Sequence, residues 1–170
     1  PLSVGSGTTQ SNGANSGSVT FASGQADAAG SGRVVIASGR SRTATSGEIE
    51  VTVGVGALGG AIKMNAGFSE AEDYAGGSVL INSGSATSAS SGEVTVGSAN
   101  SGTEGSSGTM RLRTGASAAS SSGGIHLTTG DATNAGSIEV VVGSAETAAG
   151  DINVQAGNVD DEASGGRVSI

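Results

Sequence analysis

The sequence predicts an all-β fold, a parallel β-solenoid (β-helix) of about twelve strand–turn units of 15 residues each. Three observations predict it. One short motif recurs along the whole chain, each copy alternates aliphatic residues with others, and Gly, Ser and Ala make up half of the 170 residues. Repetition and period-two alternation are typical of stacked, half-buried strands. Small residues suit tight turns between closely packed layers.

The repeat unit is a glycine, any residue, an aliphatic, any residue, a second aliphatic and usually two more residues before another glycine. Clear copies are residues 17–24 (GSVTFASG), 77–84 (GSVLINSG) and 123–130 (GGIHLTTG). The alternation predicts a strand, and connections of Gly, Ser, Ala, Thr, Asn and Asp predict turns. The first aliphatic of each copy falls at positions 2, 19, 34, 49, 62, 79, 94, 110, 125, 138, 152 and 168.

A second, weaker strand is expected inside the connections, with an inward alanine two places after a glycine. The residues concerned are Ala26, Ala86, Ala99, Ala132 and Ala145. One unit alone contains two core aliphatics, which is too few to offset the entropy of ordering about 15 residues. The units are therefore expected to stack, so that each rung covers its neighbours.

The units also form a longer repeat of about 45 residues, because every third copy ends early in Val-Gly, as in residues 49–54 (IEVTVG) and 138–143 (IEVVVG). In the copies that follow, the second aliphatic is mostly larger than elsewhere: Phe21, Met64, Leu112 and Val154. Two geometries fit nearly four such modules, a rung of 15 residues or a three-faced rung of 45. The matched large residues favour the three-faced rung, and a four-bladed propeller is a remoter option.

Bulk properties predict a single repeat domain over residues 1–170 and exclude several classes of protein. The net charge of −8 argues against nucleic-acid binding, which requires a basic face. No apolar run approaches the roughly 18 residues of a membrane helix, so no membrane insertion is expected. The absence of Cys excludes disulfides and Cys-based metal sites.

Catalytic chemistry is not expected, and no catalytic, cofactor-binding or metal-binding residue is predicted. His126 is the single histidine and lies between Ile125 and Leu127, so it should point outward to solvent. One histidine in such a position does not define a Ser/His/Asp arrangement. The chain is therefore predicted not to be an enzyme.

Acidic residues concentrate in the connections after the second unit of a module. Carboxylates on one edge could bind Ca²⁺, but the matching connection after Gly115 (ASAASSS) carries no acid. A solvated acidic edge that limits aggregation is the favoured interpretation. The acidic residues are Asp27, Glu70, Glu72, Asp73, Asp160, Asp161 and Glu162.

Segments such as GSVTFASGQA, GSVLINSGSA and GGIHLTTGDA resemble the Ser/Gly/Ala-rich β-solenoid repeat regions of extracellular or cell-surface fibre proteins of microalgae, especially heterokonts. They are more loosely similar to the β-helical repeats of bacterial filamentous adhesins. The resemblance covers essentially the whole chain. It implies an extracellular or cell-surface location and a fibre-forming or adhesive role, and it carries over no catalytic residue.

The leading functional hypothesis is a structural protein that self-associates into filaments, the building block of an extracellular fibre, appendage or surface coat. Units that run to both ends without polar caps favour end-to-end stacking. The alternative is an adhesin or receptor-binding module that recognises a glycan or a surface. Its candidate contacts are Phe68 and Tyr74, in the least repetitive connection. An ice-binding solenoid is a remote alternative, because charges and aliphatics interrupt every outward row.

Overall fold

The computed structural model describes residues 2–8, 15–159 and 164–169. Throughout these residues the chain contains no helix and no β-strand. The predicted β-solenoid, or β-helix, is therefore wrong, in both its 15-residue and its 45-residue form. The second, weaker strand expected at Ala26, Ala86, Ala99, Ala132 and Ala145 is absent as well.

Backbone hydrogen bonding is sparse, and it is local. A β ladder would pair the backbone groups of neighbouring strands along their length. The described residues instead make four backbone–backbone bonds, each across a turn or the ends of one connection. These are Gly77 N–H to Gly67 O, Gly92 N–H to Gly84 O and Gly166 N–H to Gly157 O, all at 2.9 Å, and Tyr74 N–H to Ala71 O at 3.4 Å.

The repeat is nevertheless present in the structure, as a series of closed connections. The residue four places after each unit's first aliphatic lies against the glycine two places before the next unit's first aliphatic. A β-carbon built on that glycine would lie 2.7–3.8 Å from the side chain of that residue in all eleven connections. The pairs are Ser6–Gly17, Ser23–Gly32, Ser38–Gly47, Val53–Gly60, Ala66–Gly77, Ser83–Gly92, Ser98–Gly108, Thr114–Gly123, Thr129–Gly136, Val142–Gly150 and Ala156–Gly166.

Between its two ends, a typical nine-residue connection bends three residues after its first glycine, at residues 27–29, 42–44, 87–89 and 118–120. Two serines support such bends. Ser41 Oγ accepts a hydrogen bond from Ala44 N–H at 3.0 Å, and Ser117 Oγ accepts one from Ser120 N–H at 3.1 Å. Short polar side chains that bond to the nearby backbone favour turns over strands, which explains why the small residues here mark bends.

Side-chain alternation survives locally within the repeat units. Thr52 Oγ1 donates a hydrogen bond to Glu50 Oε1 at 3.2 Å, and Thr95 Oγ1 donates one to Glu93 Oε1 at 2.9 Å. Bonds between residues two apart require both side chains to lie on one side of the backbone, as in an extended chain. The aliphatic residues between them therefore face the other side.

None of the described residues is buried, so this part of the chain has no hydrophobic core. The accessible surface is 17132 Å², whereas a compact protein of this mass exposes roughly 7,300 Å². With only two large aliphatics among about 15 residues, a rung buries little apolar surface to offset the entropy of ordering it. Closing a short connection costs much less, which fits the local closures of this structure.

The chain divides into two compact units, Pro1–Ile81 and Asn82–Ile170, each of which contains six repeat units. In the first, the pairs Val53–Gly60 and Ala66–Gly77 close consecutive connections. In the second, Val142–Gly150 and Ala156–Gly166 do the same. The modules that begin at residues 49 and 138 therefore close their first two connections with the same residue types, first Val and Gly, then Ala and Gly. The assignment of residues 1–170 to one domain stays a prediction.

Candidate functional site

The most regular chemical feature of the surface is a set of exposed apolar side chains, two from each repeat unit. We call these the apolar pairs. From Val19 to Val168 the first member of each pair is 42–59% exposed, and the second member is 62–78% exposed in every described unit. The pairs are residues 2/4, 19/21, 34/36, 49/51, 62/64, 79/81, 94/96, 110/112, 125/127, 138/140 and 152/154, with Val168 from the last unit.

Each repeat unit lies close to the start of the next one on the side that carries its apolar pair. In a locally extended segment, the residues two before, at, two after and four after the first aliphatic share one side. The last of these lies within 2.7–3.8 Å of the position that a β-carbon would take on the glycine of the next unit, at every connection. The side of the backbone that carries each apolar pair therefore leads to the start of the next repeat unit. Where the contacting residue is Val53 or Val142, it adds a third aliphatic, 46% and 38% exposed.

These aliphatics were predicted to form a thin core, and the structure instead leaves them at the surface. The sequence already contained the signal for this, because two aliphatics among about 15 residues cannot offset the ordering entropy alone. The exposure of the aliphatics was not predicted, because the repeat units were expected to stack and cover one another.

The second candidate feature is the connection from Gly67 to Gly77, which carries Phe68 and Tyr74. Both aromatic side chains are well exposed, Phe68 at 89% and Tyr74 at 77%. The Gly77–Gly67 bond closes the connection, and a turn at its tip is held by Tyr74 N–H to Ala71 O. Ser69 Oγ also donates to Ala71 O at 3.4 Å. The two predicted contact residues therefore lie in one hydrogen-bonded loop.

The acidic connections do not converge on a metal site in the described residues. Asp27, Glu70, Glu72 and Asp73 are all exposed, and no group of three or more His, Asp or Glu side chains there is arranged to hold a cation. Asp27 Oδ1 instead accepts a hydrogen bond from Gln25 Nε2 at 2.9 Å. The remaining acids of the predicted Ca²⁺ edge, Asp160, Asp161 and Glu162, lie outside the described residues.

Concave sites are also absent from the described part of the chain, which encloses no pocket. His126 is exposed, and its ring lies back over its own chain, where a β-carbon built on Gly124 would meet Nε2 at 3.1 Å. The imidazole of this exposed residue therefore lies beside its own backbone.

Comparison with known proteins gives no match to a protein-family model, a curated protein or a solved structure. Among the residues described, no helix is long and apolar enough to cross a membrane. The described residues therefore offer two surface features with a possible function, the apolar pairs and the loop of residues 67–77.

Proposed function

We propose that this protein is a non-enzymatic structural repeat protein that associates with further copies of itself and builds an extracellular fibre, appendage or surface coat. The observation that carries the proposal is the even exposure of the apolar pairs in every described unit. Monomeric proteins rarely expose extended apolar surface, and larger exposed patches mark interaction sites. Covering one half-exposed aliphatic contributes about 1 kcal/mol, so many equal small contributions favour association.

The extracellular or cell-surface setting belongs to the same proposal. It is supported by the resemblance of the Gly-x-aliphatic-x-aliphatic motif and its Ser/Gly/Ala-rich connections to repeat regions of surface and secreted fibre proteins. End-to-end stacking of solenoid rungs is no part of the proposal, because the residues that the structure describes form no solenoid. The contact we propose is lateral and uses the apolar side of the repeat units.

Sedimentation velocity and negative-stain electron microscopy of the full chain over a concentration series test this proposal. We expect assemblies that grow with protein concentration. Val96→Asp, which places a charge in an apolar pair, should weaken them more than Thr95→Asp, which adds the same charge to the other side of the same segment. A chain that stays monomeric at every concentration contradicts the proposal.

A second candidate function is adhesion, favoured by the exposure of Phe68 and Tyr74 in the loop of residues 67–77. Aromatic rings held on a hydrogen-bonded loop can stack on the apolar faces of sugars, because they offer a large contact area at low entropic cost. A glycan array with the wild type and Tyr74→Ala tests it. Binding that is lost in the variant supports adhesion, and the absence of binding leaves the structural proposal alone.

A further inference from the structure

From Val19 onward the apolar pairs resemble one another in exposure, so copies of the chain can meet at more than one place. Such contacts rest on the proposed self-association. From Val19 to Val168 the relative exposures of the first members differ by less than 20 percentage points, and those of the second members differ by a similar amount. All eleven connections bring together the same two positions of the repeat, the residue four places after one first aliphatic and the glycine two places before the next. In the exposure of its apolar pair no repeat unit from Val19 onward stands out as a single point of contact, although the units that contain Val53 and Val142 add a third aliphatic.

The area needed for a stable contact is smaller than the area the chain offers. Full burial of a Val or Leu side chain removes roughly 60–120 Å² from water, so a side chain already half-buried still offers roughly 50 Å². A specific interface covers about 800 Å² on each partner, of which about 57% is apolar. About nine such side chains supply this area, which corresponds to four or five consecutive repeat units.

Each compact unit contains six repeat units, so either one suffices for a contact. We propose that a second copy of this chain covers a run of about four or five repeat units, in any of several registers, and leaves the remaining units free. A staggered contact of this kind is heterologous, and heterologous contacts that do not close generate open-ended assemblies. Free units then recruit further copies, and the assembly grows as a polymer instead of ending as a dimer.

The first test is the size distribution of the full chain at rising concentration, measured by sedimentation velocity and multi-angle light scattering. We expect a continuous series of sizes whose mean rises with concentration. A single closed dimer at saturation overturns the staggered register but leaves the proposed self-association intact. A chain that remains monomeric overturns both, so the two failures are distinguishable.

The second test uses three equivalent residues, Val51, Val96 and Val140, which are 70%, 73% and 68% exposed. Each single change to Asp leaves at least five consecutive intact repeat units elsewhere. A partner can therefore shift along the chain and bind those units instead. We expect each one to raise the midpoint concentration for assembly by less than about threefold. The triple variant leaves at most three consecutive intact units, and we expect a loss of at least about 100-fold, far beyond the product of the single effects.

The control for the triple variant adds the same three charges to the opposite side of the same segments, as Thr52→Asp, Thr95→Asp and Val141→Asp. The midpoint concentration for assembly of this control should lie within about threefold of that of a single variant. One single variant that abolishes assembly while the other two do not identifies a unique contact and overturns the staggered register. So does a triple variant that merely reproduces the product of the single effects.

Discussion

The backbone N–H of Gly77 donates a hydrogen bond to the carbonyl oxygen of Gly67 at 2.9 Å. Two 45-residue modules later, Gly166 N–H donates the same kind of bond to Gly157 O. Around both bonds the surroundings match. A β-carbon on Gly77 would lie 3.4 Å from Ala66 Cβ, and one on Gly166 would lie 3.4 Å from Ala156 Cβ. The repeat of the sequence is therefore expressed as repeated local closures, while the described residues form no ladder between units.

Amide hydrogen exchange should reveal this pattern directly. A single exposed backbone hydrogen bond contributes about 1 kcal/mol, so we expect only about fivefold protection at Gly77, Gly92 and Gly166 in the dilute chain. The amides of the apolar pairs should exchange at nearly their unstructured rates, because they have no backbone partner. Protection of a thousandfold at Val79 or Val94 would contradict the structure and indicate a ladder.

Gly60 should tolerate a side chain less well than Gly59. A β-carbon on Gly60 would lie 2.7 Å from Val53 Cγ1, whereas one on Gly59 meets nothing within 4 Å. We expect Gly60→Ala to displace Val53 and to weaken the nuclear Overhauser effect between residue 60 and the Val53 methyl groups. Gly59→Ala is the matched control and should leave that effect unchanged. Equal spectra for both variants would show that the connection is not closed at this point.

Substitution of Gly105 should disturb the backbone more than substitution of a glycine with an ordinary backbone angle. The φ of +120° at Gly105 is the single left-handed value among the described residues, and it lies in a region that L side chains rarely adopt. No atom crowds it or Gly102 within 4 Å, so any difference between Gly105→Ala and Gly102→Ala reflects conformation. We expect Gly105→Ala to shift the resonances of the whole connection 98–108. Shifts confined to the neighbours of residue 105 would contradict this.

Added salt should promote self-association of the full chain. The copies repel one another because each carries a net charge of −8, and the proposed contact is apolar. Raising sodium chloride from about 0.01 to 0.5 M shortens the Debye length from about 30 Å to about 4 Å. We expect the midpoint concentration measured by light scattering to fall severalfold. A midpoint that rises with salt would show that ionic contacts dominate the interface.

Much of the local structure could be predicted from the sequence. The unit boundaries derived from positions such as Val34 and Ile62 coincide with closed connections, and the small residues of the connections lie where the chain bends. Phe68 and Tyr74, taken from sequence as possible contacts, share one hydrogen-bonded loop. The inward role assigned to Ala26 and its equivalents was wrong, because these residues belong to no strand, and Ala26 itself directly precedes the bend at residues 27–29.

The sequence by itself determined the alternation of side chains and the positions of the turns, because both depend on residues close together in the chain. The period follows from the places where these short motifs recur. Only the tertiary structure decided that the units do not stack over the residues it describes. A ladder joins residues 15 or 45 places apart, and its stability is the small difference between ordering entropy and burial. A unit such as residues 92–97 has only two aliphatics, so the free energy gained by burying them is smaller than the entropic cost of ordering the unit. Val94 and Val96 therefore remain at the surface.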